Sequence, residues 1–274
     1  MSFVLINGSR RECIDWRDRG LNYGDGVFET MRVLEGRIRL ERYHLERLAE
    51  GLERLHIAAP PKAALHREMR RCARAIDSGI LKLLVTRGSG SRGYRPSGLE
   101  RTRRILIATR APRATDPGQP ARLRICAFIL ADQPQLAGIK SLNRLDSVLA
   151  RCEWRDARIF DGLMRDSKDN LVCGTMSNLF LRRGARLVTP KLERCGVKGV
   201  MRRWIMQEAA RIDLQVIERA VTWFDLRAAD EVFVSNAVVG LKSVGSIEWR
   251  ARGRRIGYSD FDAAGRLRER LALL

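Results

Sequence analysis

The chain has 274 residues, 45% of them hydrophobic and only 8 of them proline, enough for one large or two ordinary folded domains and unlike a disordered polymer. It contains no run of about eighteen apolar residues, which excludes a membrane-spanning helix, and its first eight residues lack the basic and apolar regions of a secretory signal. A formal net charge of +20 raises nucleic-acid binding first. The arginines are interleaved with acids, as in Glu41-Arg42, Glu46-Arg47 and Glu53-Arg54, and there is no basic tail. Attraction of a small anionic substrate is therefore the more economical reading. Six dispersed cysteines without a C-x-x-C pair suit reduced thiols in a cytoplasm. His44, His56 and His66 read as helix surface, so no metal site is expected.

In chain order, strands are predicted over 3–6, 27–33 and 37–40. A helix over 41–56 follows, because Leu45, Leu48, Leu52 and Leu55 recur at spacings of 3, 4 and 3. A second helix is predicted over 60–77, with proline in its first turn. Strands over 80–86 and 104–108 flank a Gly- and Ser-rich stretch, 87–98, which reads as a functional loop. Residues 111–121, with Pro112, Pro117, Gly118 and Pro120, form the expected linker between a domain at 1–110 and one at 122–274. The second domain is predicted to hold strands over 122–130, 159–164, 178–182, 187–189, 231–235 and 242–249. Its helices are expected to begin near Lys140, over 199–212, and at Ser259, with Asp262 three residues on in the manner of a capping box. Hairpin strands with segregated helices make the fold class α+β.

Several stretches could carry chemistry. Leu136-Ala137-Gly138-Ile139-Lys140-Ser141-Leu142-Asn143-Arg144-Leu145 brings a lysine out of an apolar approach, in a chain where only seven of 52 basic residues are lysines. Partial desolvation would free a nucleophilic amine of the kind a Schiff base needs, while the plainer alternative is a lysine snorkelling from a helix start. Arg19-Gly20-Leu21-Asn22-Tyr23-Gly24-Asp25-Gly26 reads as a turn before a strand. Arg87-Gly88-Ser89-Gly90-Ser91-Arg92-Gly93-Tyr94 could bind a carboxylate or be an ordinary flexible loop. Cys173-Gly174-Thr175-Met176-Ser177-Asn178 runs from a small-residue turn into a strand, and Cys195-Gly196-Val197-Lys198-Gly199-Val200-Met201 opens a helix whose free N–H groups suit an anion.

Taken in chain order the five motifs resemble the fold-type IV pyridoxal-phosphate enzymes, the branched-chain and D-amino-acid aminotransferases and aminodeoxychorismate lyases, over about residues 5–244. The 87–94 loop, the Lys140 run and Ser235-Asn236-Ala237 are most similar to the lyases. The resemblance implies the two-domain fold-type IV architecture, a pyridoxal 5'-phosphate cofactor, and a homodimer with both domains lining the cofactor cleft. It implies that Lys140 holds the cofactor as a Schiff base and that Arg47 grips the phosphate, where the residue alone would read as a solvated helix charge. The N–H groups of Val200 and Met201 would complete the phosphate cup, with Asn143 and Asn178 as polar neighbours of the cofactor or as structural residues. Arg92 and Tyr94 would meet substrate carboxylates, and Thr30 would stand near the reacting carbon. The implied reaction is loss of pyruvate from 4-amino-4-deoxychorismate to give 4-aminobenzoate. The alternatives are a D-amino-acid or branched-chain aminotransferase, or an inactive relative that binds a partner. One position departs from the family: Cys173 stands where a glutamate usually pairs with the pyridine nitrogen.

Overall fold

The computed structural model describes residues 2–10, 13–111 and 119–274, so positions 112–118 of the expected linker lie outside the described residues. The chain divides into two compact units, Met1–Arg113 with Ile139–Asn143, and Ala114–Gly138 with Arg144–Leu274.

The first unit contains β1 (Ser2–Ile6), α1 (Arg19–Tyr23), β2 (Gly26–Leu34), β3 (Arg37–Ile38), α2 (Glu41–Arg54), α3 (Lys62–Ile76), β4 (Gly79–Thr86) and β5 (Arg103–Arg110). Its sheet runs β1-β5-β4-β2-β3, antiparallel at every pairing. Strand alternation sends Val27, Met31, Leu81, Leu83, Val85 and Leu106 to one face, where they meet Leu48 and Leu52 of α2 and Met69 and Cys72 of α3. Each such leucine contributes about 1.5–3 kcal/mol by leaving water, which is why the 3-4-3 leucine spacing is decisive for α2.

The second unit contains β6 (Ala121–Ile129), α4 (Leu145–Arg151), β7 (Ile159–Arg165), β8 (Leu171–Gly174), β9 (Asn178–Arg183), β10 (Arg186–Pro190), α5 (Val200–Glu208), β11 (Gln215–Arg219), α6 (Trp223–Ala228), β12 (Glu231–Asn236), β13 (Gly240–Trp249), β14 (Arg254–Gly257) and α7 (Asp262–Ala272). The strands form one mixed sheet, β11-β10-β9-β12-β13-β6-β7-β8, with β14 added on β13. The pairings β10–β11, β6–β13 and β6–β7 are parallel. Two such mixed units make an α+β chain, as the composition of elements predicts.

Four expectations are corrected. Lys140 does not open a helix: α4 begins at Leu145, and the lysine lies in an extended segment that packs with the first unit. Backbone pairing to β2 wins there over the helical apolar pattern, since Ser141 bridges Val27 and the Phe28 N–H donates to the Lys140 carbonyl at 2.9 Å. Cys173 lies within strand β8, and the turn comes after it. Ser259 does not cap α7, whose N-cap position is Phe261; the capping box belongs to α6, between Thr222 and Asp225. His44 is not helix surface but fully buried, because a carboxylate on β2 receives it.

Candidate active site

Within the first unit, the segment Ile139–Asn143 extends the free edge of β2 beyond the short β3. The Leu142 N–H donates to the Gly26 carbonyl at 2.9 Å, and the Val27–Ser141 bridge makes the pairing antiparallel. That register puts Lys140 directly across from Phe28, and the Lys140 Nζ stands 4.3 Å from the centre of the Phe28 ring. A half-buried ammonium over an aromatic face has exchanged water for a ring quadrupole. Thr30 lies two residues beyond Phe28 on β2, and so on the same face.

The opposite face of β2 carries Glu29, which is buried and receives two side chains from α2. Arg47 binds it with two N–H groups, Nε to Oε1 at 2.8 Å and Nη2 to Oε2 at 2.5 Å. His44 Nδ1 lies 2.5 Å from Oε2. Burial alone would raise the Glu29 carboxyl, but the Arg47 charge and the His44 and Arg47 hydrogen bonds hold it down at about 2. Burial outweighs Glu29 on the imidazole and lowers His44, so its Nδ1–H is the donor to an ionised carboxylate. The other ring nitrogen, Nε2, is a buried acceptor with no hydrogen-bond partner among the described residues. Arg47 is thus oriented by Glu29 rather than solvated, its side chain 10% exposed. Glu29 and His44 were missed as site residues. The signal available was a carboxylate at an inward position of a strand otherwise lined by Val27, Met31 and Val33.

A cavity of about 570 Å³ in the same unit is lined by Arg19, Tyr23, Asp25, Arg87, Tyr94 and Asn143, among others. Asn143 packs on the Gly24 turn, and its Nδ2 reaches the Gly24 carbonyl at 3.4 Å. Tyr94 is 87% exposed and stands at the cavity wall; Arg92 is also exposed but does not line it. Arg19 and Arg87 occupy that place instead, sharing Asp25, whose carboxyl they hold below its ordinary value against the effect of burial.

In the second unit, Asn178 opens β9 and ties down the start of α5. Its Nδ2 donates to the Val197 carbonyl at 2.9 Å and its Oδ1 accepts from the Gly199 N–H at 3.1 Å. Val200 and Met201 follow as the first residues of α5, where N–H groups have no partner inside the helix. Such an end attracts a phosphate or carboxylate. Asp161, fully buried on β7, accepts from the Thr175 and Ser177 hydroxyls, both at 2.6 Å, and from the Thr175 N–H at 3.0 Å. It shapes the turn that delivers Asn178. Cys173 is buried on β8, and burial pushes its thiol up to about 12, so it is neutral at any ordinary pH. The structure therefore gathers the lysine, Thr30, Arg47 and Asn143 in one unit, and Cys173, Asn178, Val200 and Met201 in the other.

Comparison with known proteins gives consistent matches. The family model for amino-transferase class IV matches residues 26–247. An aminodeoxychorismate lyase from Vibrio harveyi is 32% identical over 247 residues, 88% of this chain and 90% of that protein. A D-alanine aminotransferase from Bacillus licheniformis is 30% identical over 261 residues, 91% and 90% of the two chains. The crystal structure of 4-amino-4-deoxychorismate lyase from Pseudomonas aeruginosa superposes with a TM-score of 0.88 at 40% identity, over 97% of this chain and 98% of that one.

Proposed function

The chain belongs to the class IV aminotransferase family, and from that premise we infer that it is a pyridoxal-phosphate-dependent 4-amino-4-deoxychorismate lyase. It releases pyruvate and leaves 4-aminobenzoate, the aromatic product that feeds folate synthesis. The observation that carries the reading is the placement of Lys140, held by strand pairing against the Phe28 ring and followed by a polar segment.

The residues present fit the cofactor. In the first unit, the Lys140 Nζ is the amine for its aldehyde carbon, and Arg47, aimed by Glu29, is a fork for phosphate oxygens. In the second unit, the N–H groups at Val200 and Met201 are the amide donors for phosphate, and Asn178 keeps that helix end in position. When bound, pyridoxal phosphate supplies a conjugated sink for the electrons released at the substrate amine. The Lys140 Nζ would take the ring proton and return a proton to the departing enolpyruvate. Thr30, on the Phe28 face of β2, is the polar group assigned near the reacting carbon. Tyr94, at the cavity wall, is assigned to the substrate carboxylates, which a basic protein attracts at long range, with Arg92 on the same loop but outside the cavity lining.

Cys173 favours elimination over transamination. A neutral thiol cannot hold a proton on a pyridine nitrogen as a carboxylate does, which weakens the ring as a store of negative charge. In elimination the charge leaves with pyruvate and the ring becomes aromatic, so the demand on the cofactor is smaller. We place the enzyme in the cytoplasm as a homodimer. The described cysteines are all free thiols, and α4 exposes Leu145, Val148 and Leu149, an apolar face suited to a second copy. The test is direct: incubation with 4-amino-4-deoxychorismate must give pyruvate and 4-aminobenzoate in equal amounts. Exchange of amino groups between D-alanine and an oxo acid, with no 4-aminobenzoate, would assign the chain to the aminotransferases instead.

A further inference from the structure

The loop from Arg87 to Leu99 has the composition of a flexible connection but not its bonding. The Gly88 carbonyl accepts from the Arg19 N–H at 2.8 Å, and the Gly90 N–H donates to the Arg17 carbonyl at 3.2 Å. The Ser89 hydroxyl donates to Asp15 at 3.0 Å and accepts from Arg103 at 2.9 Å, while Arg103 also pairs with the buried Asp18. The Gly93 N–H donates to the Tyr23 hydroxyl at 3.1 Å. Gly88 sits at φ +97°, and a side chain there would strike the Arg101 carbonyl.

At the centre stands Arg19, its side chain 4% exposed. Its Nε donates to Asp25 at 2.9 Å, its Nη1 to the Gly93 carbonyl at 2.9 Å and its Nη2 to the Tyr94 carbonyl at 2.7 Å. Its guanidinium also lies 4.8 Å from the Tyr23 ring centre, and Tyr23 packs on Tyr94 with ring centres 5.6 Å apart. Arg87 takes the same Asp25 carboxylate with Nε at 2.7 Å and Nη2 at 3.1 Å, and caps the Leu55 and His56 carbonyls beyond α2. One carboxylate thereby joins the turn before β2, the exit of β4 and, through Arg19, the far side of the loop.

We propose that Arg19 and Asp25 are positioning residues for substrate recognition: they hold the Tyr94 side of the loop, and the Tyr23–Tyr94 wall of the cavity, ready before substrate arrives. What the loop recognises rests on the lyase reading. Two guanidiniums against one carboxylate leave the cavity with excess positive charge, and the tyrosine pair offers flat faces, so the ligand class is a planar ring bearing a carboxylate. Preorganisation of this kind lowers the ordering cost of binding and leaves the chemical step alone.

The experiment uses the cofactor-loaded full chain and Arg19→Lys, which keeps a positive charge beside Asp25 but cannot reach both carbonyls. Losing these charge-assisted bonds should raise KM about tenfold with kcat changed less than about twofold. Trypsin should cut after Arg92 at least about tenfold faster, as the loop opens locally. Asp25→Asn should reproduce both effects. Unchanged loop cleavage, or a fall in kcat at constant KM, would overturn the proposal. Should neither variant fold, wild-type hydrogen exchange decides: the Gly90 and Gly93 amides must exchange slowly, and exchange at the rate of free peptide refutes a preset loop. Cleavage and exchange need no substrate, so a wild type that releases no pyruvate would refute the lyase reading and leave this test standing.

Discussion

Replacing Glu29 by glutamine keeps the shape of the network and removes its negative charge. In the wild type the carboxyl lies at about 2 against an ordinary 4.5, because Arg47 and His44 both bind its ionised form. At about 1.4 kcal/mol for each tenfold change, that difference corresponds to about 3 kcal/mol of stability. Since the folded value lies below the unfolded one, this contribution is complete above about pH 4.5 and is lost as the pH falls toward 2. Glu29→Gln should therefore be about 3 kcal/mol less stable than wild type at pH 7, in line with leaving a buried cation unpaired. For a unit of this size the melting temperature should fall by roughly 10 °C. The assay is denaturant unfolding of both cofactor-free proteins between pH 7 and pH 3, with the gap narrowing steadily in acid. A gap below about 1 kcal/mol at pH 7, or one that does not narrow, would refute the claim that Glu29 is held ionised by its neighbours.

Arg47→Lys keeps a charge for Glu29 but loses the bidentate fork. It should weaken cofactor retention roughly tenfold while stability changes little, as read by dialysis and thermal melting. Arg47→Ala is the poorer probe, because it strands the buried Glu29 and should destabilise the apo-protein by about 3 kcal/mol or more. Cys173→Glu should raise side transamination of D-alanine by more than 4-aminobenzoate formation, in paired assays at saturating cofactor; equal gains would show that the ring-nitrogen partner does not partition the two reactions.

Much of the fold was legible because its determinants are local. The leucines of α2, the alternation in β2 and the runs of β4 and β5 each show one buried face in the sequence. The Lys140 segment was misplaced because its partner, the edge of β2, lies more than a hundred residues away, and no local pattern records that pairing. For the same reason Arg47 was identified by resemblance but its support was not. Glu29 is 18 residues distant, and only the crossing of α2 over β2 shows that the two meet. Arg92 stands out in the sequence as an arginine in a glycine-rich loop, yet the guanidiniums that line the cavity are Arg87, at the start of that same loop, and Arg19, which reads as a turn residue. The Cys173 departure, by contrast, was visible in the sequence, and its burial on β8 adds the reason it is a neutral group.

The central claim is that Lys140 carries the cofactor, and reductive trapping tests it most directly. The purified protein should be yellow, and borohydride should abolish the visible band. Peptide mapping should then place a single pyridoxyl group on the Lys140 Nζ, with none on Lys82, whose amine also faces the Phe28 ring at 5.4 Å. An adduct on Lys82 or Lys198, or no adduct in protein that still makes 4-aminobenzoate, would contradict the account.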